Sequence, residues 1–224
     1  MSQNSVDSLK RVFVLFVPFV VKSSLTPPTS PGSRWRNRKS ATLPYEREPI
    51  MSFDLNSSLV LLERTPGVLE TLLGGLAPTW THQNEGADTW SPYDVLGHLI
   101  HGERTDWMAR MDIILNDEGD KRFVPFDRFA QFRESEGKSL GELLREFREV
   151  RTANVAHVRS LNLDDRALDK TGIHPTFGEV TLRQLLSTWT VHDLDHLVQI
   201  SRVMAKQLKT DVGPWVAFLR IVRD

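Results

Sequence analysis

Four segments of this chain carry apolar residues at the 3.6-residue spacing of an amphipathic helix, and this pattern limits the fold more than any other feature. The segments cover about residues 52–73, 91–115, 139–161 and 181–207. Each can bury one apolar face against its neighbours. Strand signals are weak, and residues 167–180 are predicted to form a loop. The pattern therefore predicts an all-α protein built as one four-helix bundle.

Capping residues mark where three of these helices begin. Three pairs share the spacing of a capping box: Ser91 and Asp94, Ser139 and Glu142, Thr181 and Gln184. Pro66 and Gly67 are expected to kink or split the first helix, and residues 214–222 are expected to add a last helical turn. The 23 residues from Asn116 to Lys138 are enough for a long crossover connection, so a simple up-and-down topology is not required.

The first 50 residues differ in character from the rest. They contain eight Lys and Arg against three Asp and Glu, a net charge of +5, whereas the whole chain has a net charge of −1. An apolar run over 11–21 is too short to span a bilayer, and residues 26–39 are rich in Pro, Ser and Arg. Helical periodicity begins at Met51. We predict a bundle domain over 51–224 after a disordered extension or a misassigned start over 1–50, with export as the alternative.

The chain contains no cysteine. This excludes disulfides, zinc–cysteine sites and a thiolate nucleophile supplied by the protein, and it fits a reducing compartment, so we predict a cytoplasmic location. The small net charge and the lack of a basic stripe argue against a nucleic-acid or membrane partner. Any tight metal site must use His, Asp or Glu, and seven histidines are present.

Three histidines have the positions expected of metal ligands. His192 and His196 are four residues apart on the apolar face of the fourth helix, a spacing at which two imidazoles can bind one ion. His98 lies on the second helix and can approach them from a facing side of the bundle. Three imidazoles with an open fourth position form a catalytic type of zinc site, and they also suit nickel, iron, cobalt or manganese. The alternative is a structural bundle whose core histidines are buried and hydrogen-bonded.

Other polar side chains lie close to these ligands in the sequence. Glu103, Asp193 and Asp195 could each orient a ligand imidazole by accepting its second N–H, or they could be ordinary charges on solvated helix faces. His101 could be a fourth ligand, although its spacing fits a residue lining the pocket or the bundle edge better. The remaining histidines lack matching spacing and are interpreted as structural: His82, His157 and His174.

Two of these segments resemble the signatures of a known superfamily. The run Trp90–Glu103, followed by Trp107 and Arg110, resembles the first signature of DinB-like four-helix proteins, and Thr181–Ile200 resembles the second. This superfamily includes YfiT-type metal hydrolases and thiol-dependent transferases. The resemblance covers about residues 53–222. It implies a bundle with a long crossover, a divalent metal ion on His98, His192 and His196, and frequent dimerisation.

The resemblance leaves several functions open. The first is a metal-dependent transferase that moves a low-molecular-weight thiol onto a small electrophile, and that thiol must be exogenous because the chain has no cysteine. The second is a hydrolase, in which Glu103 or Asp193 could serve as the general base. The third is a metal-binding protein without turnover. We expect a small-molecule substrate and a homodimer.

Overall fold

Residues 52–223 are described by a computed structural model, in which four long helical segments form an all-α bundle. The segments are α1 (Leu55–Leu73), α3 (Pro92–Thr105) continued by α4 (Trp107–Leu115), α6 (Leu140–Ser160) and α8 (Leu182–Lys206). The remaining elements are short: α2 (Pro78–Thr81), α5 (Ala130–Glu134), α7 (Asp165–Leu168), β1 (Thr171–His174), β2 (Gly178–Thr181) and two 3-10 helices over Gly213–Ala217 and Arg220–Val222. The extension predicted over 1–50 lies outside the described residues. No described helix is long and apolar enough to cross a membrane.

The predicted helix starts are confirmed. At α3, α6 and α8 the capping side chain accepts the backbone N–H three residues on, and the residue there accepts the N–H of the cap in return. Each capping box satisfies two backbone donors that the first helical turn would otherwise leave unpaired. The first helix has a cap that the sequence analysis did not identify, because Asp54 accepts the N–H of Ser57 at 2.7 Å.

The second predicted helix, written as one segment over 91–115, is interrupted at Asp106. This residue has φ −114° and ψ −69°, and it separates α3 from α4. The Thr105 hydroxyl donates to the carbonyl of His101 at 2.8 Å, a side-chain bond of the kind that bends helices. Beyond the break, Trp107 is buried and its ring lies 5.1 Å from that of His192. The interruption therefore places an aromatic side chain beside the histidines of α8.

The prediction of a loop over 167–180 is wrong in part. There β1 and β2 pair as an antiparallel hairpin, with Thr171 opposite Thr181. Strands of four residues are too short to display an alternating pattern. The crossover segment adds to this hairpin, because Ile173 donates its N–H to the carbonyl of Lys121 and accepts the N–H of Phe123, at 2.8 and 2.9 Å. Gly172 permits this close approach, since a Cβ there would lie 2.7 Å from Cζ of Phe123.

The buried apolar side chains form two clusters, and their membership gives the helix directions. One cluster joins the first halves of α1 and α8 to α4 and to the end of α6. The other joins the end of α1 and Ile200 of α8 to the beginnings of α3 and α6. Hence α1 runs parallel to α8, α3 runs parallel to α6, and the two pairs are antiparallel. Two consecutive parallel segments need a long connection between them, and residues 116–139 provide the predicted crossover.

Candidate metal centre

The three predicted ligands come together in the structure. The Nε2 atom of His192 lies 3.0 Å from Nε2 of His196 on the same helix and 3.1 Å from Nε2 of His98 on α3. One possible ligand atom from each ring lies within 4.8 Å of those of the other two. His98 and His196 are buried, and His192 is half-buried. The rings therefore converge from two helices on one point inside the bundle.

The spacing of these nitrogens is compatible with ligation of one metal ion. Each neutral imidazole nitrogen offers either one hydrogen or one lone pair. The Nε2 of His192 can therefore make a good hydrogen bond to one of its two neighbours and not to both. A tetrahedral ion at about 2.0–2.1 Å from each ligand would separate the nitrogens by roughly 3.3 Å. The observed 3.0 and 3.1 Å are close to that value, so the residues fit a divalent ion.

The second nitrogen of each ring also bears on ligation. The Nδ1–H of His196 donates to Oε1 of Gln199 at 2.7 Å, and this bond leaves a lone pair on Nε2 that points to the other two rings. The Nδ1 atoms of His98 and His192 are buried without a hydrogen-bond partner among the described residues. With Nε2 of every ring directed to the common point, Nδ1 is the nitrogen left to carry the hydrogen.

Burial keeps these imidazoles neutral. Desolvation lowers the pKa of His98 and of His192 well below 6.5, and the neighbouring His196 lowers both further. The pKa of His196 is also lowered by burial, although Gln199 and nearby aspartates oppose the shift. A neutral imidazole has the lone pair that a metal ligand needs. At pH 7 the three side chains are therefore in the protonation state that binds a cation.

Aromatic side chains surround the three rings. The ring of Trp90 lies 4.8 Å from that of His98 and 6.4 Å from that of His196, centroid to centroid. Phe126, from the crossover segment, lies 5.5 Å from His98, and Trp107 lies 5.1 Å from His192. The surroundings of the site are therefore mostly apolar, which limits water and leaves the imidazole nitrogens as the main polar groups.

Glu103 and Asp193 do not orient a ligand imidazole. Glu103 and Asp193 are buried, and both bind the guanidinium of Arg151, at 2.7 and 2.5 Å, rather than a ligand imidazole. Asp195 is exposed. The solvated-face alternative therefore holds for Asp195 and fails for the other two, because the arginine from α6 compensates their charges inside the bundle.

The other histidines lie away from the three ligands. His101 is buried, and its Nδ1 lies 3.0 Å from Oε2 of Glu134, so it makes a separate contact with this carboxylate. His82 stacks on Tyr93 with ring centroids 4.6 Å apart. His157 is exposed on α6, and His174 in β1 accepts the N–H of Thr176 at 3.1 Å. None of them joins the group of possible metal ligands found among residues 52–223.

Sequence reasoning missed Arg151, although a signal was present. Phe147, Arg151, Val155 and Val158 follow one another at helical spacing, and all four are buried. An arginine in an apolar stripe requires buried acidic partners. The pattern therefore indicated a buried ion pair for Arg151, but it did not indicate which carboxylates of the other helices form that pair.

Comparison with known proteins identifies the family of this chain. The model of the DinB superfamily matches residues 61–200, which is more than half of the chain. The chain belongs to the DinB superfamily. Its match includes all three converging histidines and the arginine of α6. No curated protein matches the chain.

A solved structure supports the bundle of this DinB superfamily member. It is that of YfiT from Bacillus subtilis, described as a probable metal-dependent hydrolase with an unusual four-helix bundle topology. The likeness has a TM-score of 0.61 at 18% sequence identity, and it covers 71% of this chain and 93% of YfiT. At that identity the likeness establishes the fold.

Proposed function

We propose that this chain is a metal-dependent enzyme that holds one divalent ion on His98, His192 and His196 and uses it to activate a small nucleophile. The observation that carries the proposal is the convergence of three imidazole nitrogens from two helices on one point. Three protein ligands leave a position for water or substrate, as in catalytic zinc sites. Zinc, nickel, iron and manganese all accept imidazole ligands, and metal analysis identifies the ion.

The nucleophile we favour is a low-molecular-weight thiol. A bound divalent ion lowers the pKa of a thiol or a water molecule and so supplies a nucleophile near neutral pH. The chain has no cysteine, so the thiol comes from outside. A free general base would accelerate hydrolysis by taking a proton from the attacking water. The two candidates for this role, Glu103 and Asp193, are both bound to Arg151. In the proposed reaction the thiol loses its proton to solvent, its sulfur forms a bond to a carbon of the small electrophile, and the bond from that carbon to its leaving group breaks.

The surrounding side chains have supporting roles in this proposal. Gln199 holds His196 with the lone pair of Nε2 directed to the other rings. Trp90 and Phe126 pack against His98 and limit the access of bulk water. Their apolar surfaces would also contact the non-polar part of a substrate. The small-molecule substrate, the homodimer and the cytoplasmic location remain predictions.

Hydrolysis of a small substrate at the same three histidines is the second candidate. It is favoured by the fold shared with YfiT, which is described as a probable metal-dependent hydrolase. A metal-bound site can activate water without a separate protein base. The two candidates differ in one requirement, because the transferase needs an added thiol and the hydrolase does not.

The experiment that tests the proposal is a conjugation assay with metal-loaded protein. Bacillithiol, mycothiol or glutathione is supplied with a generic electrophile, and the conjugate is measured. We expect conjugation above background that a chelator abolishes. The variant His192→Ala should lose it, whereas the exposed His157→Ala on α6 should retain it. Turnover without thiol would indicate the hydrolase, and bound metal without turnover would indicate a non-catalytic metal-binding protein.

A further inference from the structure

We infer that Arg151 is a positioning residue for the metal centre, because its guanidinium fixes the separation of the helix that carries His98 from the helix that carries His192 and His196. The inference rests on the proposed function, since it concerns the same three imidazoles. It assigns Arg151 no contact with metal or substrate. Its action passes through Glu103 and Asp193.

The guanidinium joins α3 to α8 directly. Its Nη2 donates to Oε1 of Glu103 at 2.7 Å and to Oδ1 of Asp193 at 2.9 Å, and its Nη1 donates to Oδ2 of Asp193 at 2.5 Å. The side chains of all three residues are at most 3% exposed. A planar fork that binds a carboxylate through two parallel bonds sets direction as well as distance. The two helices are therefore held at a defined spacing.

The same guanidinium also reaches α1, at a carbonyl that a proline has left free. Pro66 lies inside α1 and has no N–H, so the carbonyl of Leu62, four residues earlier, lacks its usual helical donor. Nη1 of Arg151 donates to that carbonyl at 2.9 Å. The proline predicted to kink or split α1 leaves the helix continuous over Leu55–Leu73. One side chain of α6 thus bonds to the other three long segments of the bundle.

Two more side chains donate hydrogen bonds to the carboxylate of Glu103. Trp189 donates its indole N–H to Oε1 at 2.8 Å, and Asn154 donates to Oε2 at 2.9 Å. The guanidinium itself lies over two rings, 4.8 Å from the centroid of Phe147 and 5.1 Å from that of Trp189. A buried network in which every carboxylate oxygen has a donor is rigid. Glu103 therefore transmits the position of Arg151 to α3.

The short sequence separations connect this network to the imidazoles. Asp193 follows His192 directly on α8, and Glu103 follows His98 by five residues on α3. Because a helix is stiff over that length, the spacing of the two carboxylates sets the spacing of the rings. The network contains one guanidinium and two carboxylates, an excess of one negative charge. In a buried setting this excess favours a nearby divalent cation.

The test compares two lysine substitutions on α6. Arg151→Lys keeps the positive charge and loses the planar fork. Arg159→Lys is the matched control, since Arg159 also joins α6 to α1, by an exposed pair with Glu63. Affinity for Zn²⁺ is measured by competition with a chelator, and the Co²⁺-loaded absorption spectrum reports ligand geometry. We expect Arg151→Lys to weaken zinc binding by about 10–100-fold and to change the cobalt spectrum, and Arg159→Lys to do neither.

A second variant keeps the test valid if Arg151→Lys does not fold. Glu103→Gln keeps the size of the side chain and removes the negative charge that the guanidinium of Arg151 binds. Glutamine and glutamate have similar helix propensities, so α3 should keep its circular dichroism signal. We expect a loss of zinc affinity smaller than that of Arg151→Lys.

The outcomes separate this inference from the proposed function. Wild-type protein that binds zinc together with a folded Arg151→Lys of equal affinity and unchanged cobalt spectrum overturns the positioning role and leaves the metal centre standing. If Arg151→Lys is unfolded, a Glu103→Gln variant with wild-type affinity overturns it. Wild-type protein that binds neither ion overturns the proposed function and this inference with it.

Discussion

Arg151 occupies a position that the helical pattern assigns to an apolar residue, between Phe147 and Val155 on the buried face of α6. Its charge is tolerated there because two carboxylates and a backbone carbonyl accept hydrogens from its Nη1 and Nη2 atoms. Burial alone would lower the pKa of this guanidinium, but the two carboxylates raise it above its usual value. A buried network of this kind is expected to contribute more to the arrangement of the helices than to their stability.

The three imidazoles make the stability of the metal-free protein depend on pH. Burial lowers the pKa values of His98, His192 and His196 in the folded state, whereas in the unfolded chain they return to about 6.5. Below that pH the unfolded chain binds more protons, so the free energy of unfolding falls as the pH falls. We expect urea unfolding of chelator-treated protein to show clearly lower stability at pH 5.5 than at pH 7.5.

The variant His192→Gln provides the control for this pH dependence. It removes one of the three lowered pKa values and should show a smaller difference between the two pH values. His174, whose pKa burial also lowers, contributes equally to both proteins. Equal pH dependence in wild type and variant would contradict the assignment of the effect to the buried imidazoles.

At the scale of secondary-structure elements, the helices could be predicted because the sequence patterns that indicate a helix are local. Apolar spacing and the capping boxes lie within one segment, and the structure confirms the starts of α3, α6 and α8. The break at Asp106 and the β1–β2 hairpin were not predicted. The hairpin depends on contacts from elsewhere in the chain, such as the bonds between Ile173 and the crossover segment, which no local pattern records. The break at Asp106 accompanies the bond from the Thr105 hydroxyl to the carbonyl of His101, and apolar spacing does not indicate such a bond.

The hairpin gives a prediction about Gly172. A Cβ at this position would lie 2.7 Å from Cζ of Phe123 and 2.9 Å from Cγ1 of Ile114, and both of these side chains are buried. Because the neighbours have little room to move, we expect Gly172→Ala to destabilise the protein by about 1–3 kcal/mol. The midpoint of urea unfolding measures the loss.

The same substitution at an exposed helical position is the control. Gly141 lies in α6, where an added Cβ would meet only the end of Arg145 at 3.7 Å. Alanine has the higher helix propensity, so Gly141→Ala should raise stability by about 0.5–1 kcal/mol. A Gly172→Ala variant as stable as wild type would show that the crossover segment does not press on the hairpin as described.

At the scale of the whole molecule, the two apolar clusters lie toward opposite ends of the bundle, with polar side chains between them. The sequence predicted the fold class, the crossover and the convergence of His98 with the α8 pair. It did not predict the arginine network, because pairing across four helices depends on a packing order that spacing alone does not determine. The site and its supporting network thus occupy the middle of the bundle.

The most direct test of the metal centre is the metal content of protein purified without a histidine tag, measured by mass spectrometry of the elements. We predict close to one divalent ion per chain in the wild type. His98→Ala should lose most of it, although α3 and its cap stay intact, and His157→Ala should retain it. Equal metal content in His98→Ala and wild type, or none in either, would contradict ligation by the three converging imidazoles.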